Sequence, residues 1–377
     1  MTSTSPATPG MLRALNERTV LEAIRAGEPI SRAEISRRVG ISKPTVSLAL
    51  QSLLEARLVR ELEGAGQRGR YGATLFETVA DARLVLGLDL GARFLRGAIC
   101  DLHGGVRARQ DIETAGAGAA ALLEASADLC LQLLDAGELS ATALDGAVIG
   151  VPGVVDPATG LVRLAENIPG LERLAVADEL ATRLGCRVTV MNDINLAAVG
   201  ERSRGAARGV ADFAFLSVGT GLGAGLMIGG ELVRGHHGAA GELDYTTASD
   251  DDDPCAAALS AYAARSGLAP PHAVPAVFER ARAGDGRALA VVVEAARRIA
   301  VHITPIAAVT DVELVVLGGG VAANGDLLLT PIRERLADAL PFPPRVEVST
   351  LGDAAILTGA LALGLVSALE NAFAERG

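Results

Sequence analysis

The sequence has no tryptophan, three tyrosines, seven phenylalanines and a single lysine, Lys43. So few aromatic side chains leave little material for stacking bases, which sets aside an aromatic platform for single-stranded nucleic acid. The four cysteines, Cys100, Cys130, Cys186 and Cys255, lie far apart without a CxxC pair and read as free, buried thiols in a reducing compartment. The N-terminus has no apolar signal core behind a basic start. The longest apolar stretch, Ala354 to Leu369, is broken by Thr358, Gly359, Gly364 and Ser367. It falls short of the roughly 20 apolar residues that a membrane span needs and reads as a buried helix. A cytoplasmic protein that does not engage a membrane is the expectation.

What is present is an ordinary globular composition. Half of the 377 residues are hydrophobic, 21% are charged and 44 are glycine, enough chain for two or three domains with sizeable aliphatic cores. The net charge of −11 is unevenly spread: residues 1–80 hold 11 Arg or Lys against 8 Asp or Glu, and the remainder holds 23 against 37. A mildly basic head on an acidic body suits phosphate contacts by the head alone, with repulsion elsewhere limiting non-specific adhesion.

Residues 11–79 read as three helices and a two-stranded wing. Leu12, Leu15, Val20, Leu21 and Ile24 give the stretch from Met11 to Ala26 one apolar face, and Gly27 and Pro29 stop it. Ser31, followed three residues later by Glu34, is a capping box opening a second helix that Gly40 ends. Ser42 caps a third, with Lys43 and Pro44 in its first turn, where a proline removes no intrahelical hydrogen bond. Val46, Leu50, Leu53 and Leu54 form its inward stripe and leave Lys43, Thr45, Ser47 and Gln51 facing outward. Helix, glycine turn and a helix with a polar N-terminal face make a helix-turn-helix, whose second helix enters the major groove. Strands at 58–62 and 73–78 flank a glycine-rich loop carrying Arg68 and Arg70, placed to reach phosphate or the minor groove. Ser42, Lys43, Thr45, Ser47, Gln51, Arg68 and Arg70 are the candidate DNA contacts.

From Leu84 the pattern changes to strands alternating with helices, which indicates α/β layers. Polar residues and glycines recur just after strand ends, where ligand sites of such folds sit: Asp89 and Gly91, Asn192 and Asp193, Gly219-Thr220-Gly221, and Gly318-Gly319-Gly320.

These blocks carry a resemblance. VGTGLGAGLMIGGELVRGHHGAAGELDY (218–245) resembles the signature of the ROK family of sugar kinases and repressors. GVPGVVDPATG (150–160), NDINLAAVGE (192–201) and VLGGGVAANGDLLLTPIRE (316–334) match its other blocks in order, so that the similarity spans residues 84–370. A helix-turn-helix head on this body is similar to the family's repressor branch. The resemblance implies an α/β protein with a winged helix-turn-helix over 1–80 and a two-lobed body of the actin/hexokinase type. Its first lobe would be 81–200, joined by a C-terminal helix over 352–377, and its second lobe 201–351. By the same resemblance Asp193 matches a catalytic base, Asn192 and Glu242 match sugar-hydroxyl contacts, and Asn167 joins them, with Tyr245 as a further ligand contact at the position of the family's histidine. Asp89, Gly91, Gly219, Thr220, Gly221, Gly318 and Gly319 match nucleotide-facing loops. Asp193 could equally be a helix N-cap, and the glycines simple strand–helix connections.

The departures weigh against turnover. The family's kinases carry a DxGGTK-like first phosphate loop, whereas this chain reads Asp89-Leu90-Gly91-Ala92-Arg93-Phe94, with Arg93 adding bulk and charge near the phosphate path. Tyr245 stands where the family has a histidine, and Ser249 to Asp253 with Cys255 replaces a cysteine-rich zinc block. One sulfur without a matched histidine does not make a tetrahedral zinc site, and the aspartates read as a solvated loop. The histidines at 236 and 237 read as plain loop residues. No cofactor is expected: zinc lacks ligands, and ATP meets an altered loop. The sequence thus points to a sugar- or sugar-phosphate-responsive regulator, a repressor acting as a homodimer or higher homo-oligomer on operator DNA, rather than an enzyme. The alternatives are an ATP-dependent sugar kinase with an added DNA-binding domain, and a repressor controlled by a protein partner.

Overall fold

The computed structural model describes residues 9–27, 29–62, 74–114, 116–246 and 250–374. In the head, α1 (Pro9–Arg25) is followed by the short strand β1 (Ile30–Ser31), α2 (Arg32–Val39), α3 (Lys43–Glu55), β2 (Val59–Glu61) and β3 (Leu75–Thr78). The capping box forms as the sequence requires: the Glu34 N–H donates to Ser31 Oγ at 3.3 Å and the Ser31 N–H donates to the Glu34 carboxylate at 3.0 Å. Gly40, at a φ of 69°, turns the chain out of α2, and Ser42 Oγ then accepts from the Thr45 N–H to start α3. Val46, Ala49, Leu50 and Leu53 of α3 bury against Leu21 and Ile24 of α1, Ile35 of α2 and Phe76 of β3. The strands pair antiparallel in the order β1-β3-β2. Arg68 and Arg70 lie outside the described residues.

The body holds two five-stranded sheets. The first contains β4 (Leu84–Leu90), β5 (Phe94–Cys100), β6 (Val106–Glu113), β7 (Leu144–Val151) and β10 (Arg187–Asn192). Its helices are α4 (Ala119–Ala136) and α5 (Val176–Leu184), and a small hairpin, β8 (Val154–Val155) with β9 (Val162–Arg163), projects from its end. α6 (Asp193–Arg204) follows, and then the second sheet: β11 (Phe213–Val218), β12 (Leu222–Ile228), β13 (Glu231–Val233), β14 (Leu314–Gly318) and β15 (Arg345–Val348). Here the helices are α7 (Ala256–Arg265), α8 (Val274–Arg282), α9 (Gly286–Thr310), the single turn α10 (Gly319–Ala322) and α11 (Gly325–Ala339).

The two sheets have one topology. Three antiparallel strands are followed by two parallel ones, in the orders β6-β5-β4-β7-β10 and β13-β12-β11-β14-β15. Each is built on its own aliphatic core, Leu86, Leu88, Ile149 and Leu180 in the first and Leu216, Val315, Ile299 and Ile332 in the second. The expectation of an α/β body in two lobes behind a winged helix is met.

The last helix, α12 (Ala355–Ala374), is long and apolar enough to cross a membrane by length and composition. It is instead the buried helix that its interruptions imply. It runs beside α6, where a Cβ on Gly359 would fall on the Leu196 carbonyl oxygen and one on Gly200 on the Ala355 carbonyl oxygen, so the two backbones touch. Farther along, Leu357 and Leu361 pack on Val85 and Ala98 of the first sheet. Its final turns reach the head while staying on the body: Leu369, Ala372 and Phe373 belong to the head's core with Val20, Leu21 and Ile24, and Asn371 Nδ2 donates to the Asp145 carboxylate at 2.9 Å.

Candidate functional site

A cleft of about 520 Å³ opens between the lobes. One wall holds Asn167, Asn192 and Asp193, and the other Gly219, Thr220, Gly221, Glu242 and Asp244, with Gly319 and Gly320 beneath. β10 delivers its last residue, Asn192, as the N-cap of α6: Asn192 Oδ1 accepts from the Asn195 N–H at 2.9 Å and Nδ2 donates to the Gly153 carbonyl at 3.0 Å. The cap is therefore Asn192, not Asp193, and its amide holds the cleft wall in place as well as facing the cavity. Asp193, the first helical residue, accepts at Oδ1 from the Ile194 N–H at 2.8 Å and lines the cavity. Glu242 and Asp244 come from the loop after β13, and the Asp244 carboxylate accepts from the Leu222 N–H at 3.2 Å. Asp244 was not among the residues that the sequence singled out. Its proximity to Glu242 in the same loop was the available signal.

The cleft is acid-rich, and its carboxyls hold their protons to unusually high pH. Burial, with the charge of Asp89 behind it, pushes Asp193 up to about 7. Burial also raises Glu242 and Asp244, each in the presence of another acidic neighbour. A carboxyl such as Asp193, which exchanges between donor and acceptor near neutral pH, suits a ligand rich in hydroxyls.

The glycine turns divide. Gly219 to Gly221 is the β11–β12 hairpin turn and faces the cavity. Gly319 and Gly320 also face it, whereas Gly318 lies back from the wall, where a Cβ would strike the Phe215 ring. Gly319 has a φ of 85° and sits against the Val218 carbonyl, so backbone geometry demands it with or without a nucleotide. Asp89 and Gly91 are outside the cavity wall as well. Asp89 is buried and pairs with Arg96 at 3.0 Å; burial nevertheless raises it to about 6.

On the head, Ser42, Lys43, Pro44, Gln51 and Glu55 are exposed along α3 and Thr45 and Ser47 half-buried. The Ser42 and Thr45 hydroxyls bond to each other at 2.8 Å, Ser47 Oγ donates to the Lys43 carbonyl at 2.9 Å and Gln51 Nε2 to Glu55 at 3.1 Å. Leu48, 68% exposed, sits among them.

Comparison with known proteins follows this division of the chain. Residues 85–366 match the ROK family, and residues 10–69 match the MarR family. The chain belongs to the ROK family. A xylose repressor of Caldicellulosiruptor bescii is 26% identical over 94% of this chain and 96% of its own length. A glucokinase of Halalkalibacterium halodurans is 30% identical over 78% of this chain and 98% of its own length. Among solved structures, a ROK family transcriptional regulator, described as a homologue of the E. coli MLC protein, superposes with a TM-score of 0.80 over 97% of this chain and 98% of its own at 21% identity. That likeness establishes the fold from the winged helix to α12.

Within the family frame, Arg93 is not part of the cavity wall: its side chain is 77% exposed and pairs outward with Glu113 at 3.4 Å. The residue that engages Asp89 is Arg96, directly opposite it in the β4–β5 register. Nor is the acidic loop merely solvated. Arg297 bonds Asp252 at 2.8 Å and the Asp251 carbonyl at 2.8 Å, and the buried Arg298 bonds the Asp253 carbonyl at 2.7 Å and Glu294 at 2.8 Å. His302 bonds the Asp252 carbonyl at 3.1 Å. Three side chains of α9 thus hold a loop about 45 residues away in sequence, next to the cleft. Among the described residues, no group of three His, Cys, Asp or Glu is arranged to hold a metal. Cys255 itself is buried, with burial and Asp253 raising its thiol, so the residues present do not fit zinc. The side chain of Tyr245 lies outside the described residues. His236 and His237 are exposed, with their rings stacked edge-on at 4.5 Å, and are not in the cavity wall.

Proposed function

We propose that the protein is a cytoplasmic transcriptional repressor that binds operator DNA through residues 1–80 and is controlled by a small sugar held in the interlobe cleft. The observation that carries this reading is the path of α12. α6 starts at Asp193 in the cleft and lies backbone to backbone with α12 at Gly200 and Gly359. The end of α12 is part of the head's core, and Arg18 of α1 faces Glu370 at 3.8 Å. A lobe movement that shifts α6 against α12 therefore reaches the head through packed side chains. A sugar that binds the closed cleft more tightly than the open one shifts the head between two orientations by that difference in affinity. In a homodimer on a palindromic operator, reorienting two heads changes the spacing between them, which lowers the fit to both half-sites. In this reading 81–200 with 352–377 forms the first lobe and 201–351 the second.

Asn192, Asp193, Glu242, Asp244 and Asn167 are the ligand contacts of this proposal. Three carboxyls in one cavity offer a neutral sugar's hydroxyls both donors and acceptors, whereas each one that ionises repels a phosphate ester, so the neutral sugar is favoured. The name of the xylose repressor relative supports a sugar as the effector class. The reading is tested by operator affinity and ATP consumption, each measured against a panel of sugars and their phosphate esters. Release from DNA by a sugar, with no ATP consumed, is the expected result.

A second reading, a sugar kinase with an added DNA-binding domain, is favoured by one observation. An aspartate titrating at about 7 beside a sugar-sized cavity has the protonation properties of a general base. Sugar-dependent ATP turnover abolished by Asp193→Asn would establish it in place of the first.

A further inference from the structure

We infer that Leu48 reads a thymine methyl group in the major groove. The inference rests on the DNA-binding reading of the head and names a contact that the polar residues of α3 do not supply.

On α3, Val46, Ala49, Leu50 and Leu53 are buried, which fixes the opposite face of the helix as the outward one. Pro44, Leu48, Gln51 and Glu55 fall on that face at spacings of four, three and four, and all four are exposed. Leu48 is the most exposed large apolar side chain of the described head, at 68% against 51% for Leu12 and 59% for Leu15. It lies in the second turn of the helix, within the N-terminal part that reaches base edges when such a helix enters the groove. Glu55, two turns farther on, is acidic and marks where the helix turns away from phosphate.

The chemistry then selects the partner. A leucine has neither donor nor acceptor, and the one apolar group that a base pair presents in the major groove is the C5 methyl of thymine. The neighbouring polar side chains are engaged with the helix itself: Ser47 with the Lys43 carbonyl, Gln51 with Glu55, and Ser42 with Thr45. They can still accept or donate once more, but Leu48 needs no rearrangement to make its contact. Leu12 and Leu48 also line a shallow groove between α1 and α3, so contact with a second copy of the head is the competing use of this side chain.

The test uses the full chain and an operator selected by the wild-type protein from a random-sequence DNA library. Each thymine of that operator is replaced in turn by deoxyuridine, which removes the methyl and keeps the pairing. One thymine per half-site is expected whose replacement weakens wild-type binding by about fivefold, the value of one buried methyl. Leu48→Ala should bind the unmodified operator about fivefold more weakly and be indifferent to deoxyuridine at that position. Leu48→Gln, selected against the same library, should exchange thymine there for adenine. The inference is overturned if Leu48→Ala keeps the wild-type response at every thymine. It is equally overturned if Leu48→Ala changes only the oligomeric state in sedimentation. Failure of the wild type to select any DNA would overturn the DNA-binding reading together with this one.

Discussion

The two lobes share a strand order and treat the same hairpin in opposite ways. In the first, the turn between β4 and β5 is set among charges: Asp89 is buried against Arg96, Arg96 also reaches Asp111 at 3.5 Å, and Arg93 is drawn outward to Glu113. In the second, the turn between β11 and β12 is Gly219-Thr220-Gly221, opening on the cavity. Beside it, the acidic loop is held by Arg297, Arg298 and His302. One architecture thus carries a closed charge network at one hairpin and a turn open to the cavity at the other. The difference lies in a handful of residues at equivalent places, which is why a fold shared with glucokinases is compatible with sensing in place of turnover.

Removing the central arginine of each network should expose the asymmetry. Arg298→Met is expected to cost about 3 kcal/mol of unfolding free energy, since it takes a buried partner from Glu294 and from the Asp253 carbonyl. Chemical denaturation reads it, and a loss below 0.5 kcal/mol would mean that the loop needs no anchor. Arg96→Met should cost less, about 2 kcal/mol at pH 8, because Asp89 already stands near 6 and can take up a proton. Without Arg96 the Asp89 carboxyl rises further, so the loss should shrink as the pH is lowered toward 5. A loss independent of pH would break the account of that network.

The smallest effect is a gain. Asp193 is raised from 3.8 to about 7 in the folded protein, so folding favours its protonated form. It therefore costs nothing below about pH 4, and the penalty builds as the pH rises from 4 to 7 and is complete above 7. Asp193→Asn should raise the stability of the sugar-free protein by about 1 kcal/mol at pH 8, discounted from the full shift because the carboxyl is partly open to water, and should leave it unchanged at pH 4. Melting curves at the two pH values decide it; destabilisation at pH 8 would contradict the burial of this group.

Local signals were legible in the sequence because short-range chemistry decides them. The Ser31–Glu34 box, the Ser42 cap and the Gly40 turn each depend on neighbours within three residues, and each forms. Asp193 was legible as a cleft residue from its place after a strand. What escaped depends on partners distant in the chain. The hold of Arg298 and His302 on the acidic loop spans some 45 residues, and nothing in a run of aspartates announces it. The apolar sequence of α12 foretold burial but not that Phe373 would finish in the head's core. At the β4–β5 turn, both Arg93 and Arg96 follow Asp89, and only the strand register decides which one meets it. Leu48 was passed over because the outward face of α3 was read through its polar residues, although its position opposite Val46 and Leu50 was available from helical spacing alone.

The central claim is that a sugar in the cleft acts on the head. It is tested most directly by titrating labelled operator with wild-type protein and with Asp193→Ala, each with and without the sugar that releases the wild type. The account predicts equal operator affinity for both proteins without sugar and a response to sugar in the wild type alone. An undiminished response in Asp193→Ala would contradict it.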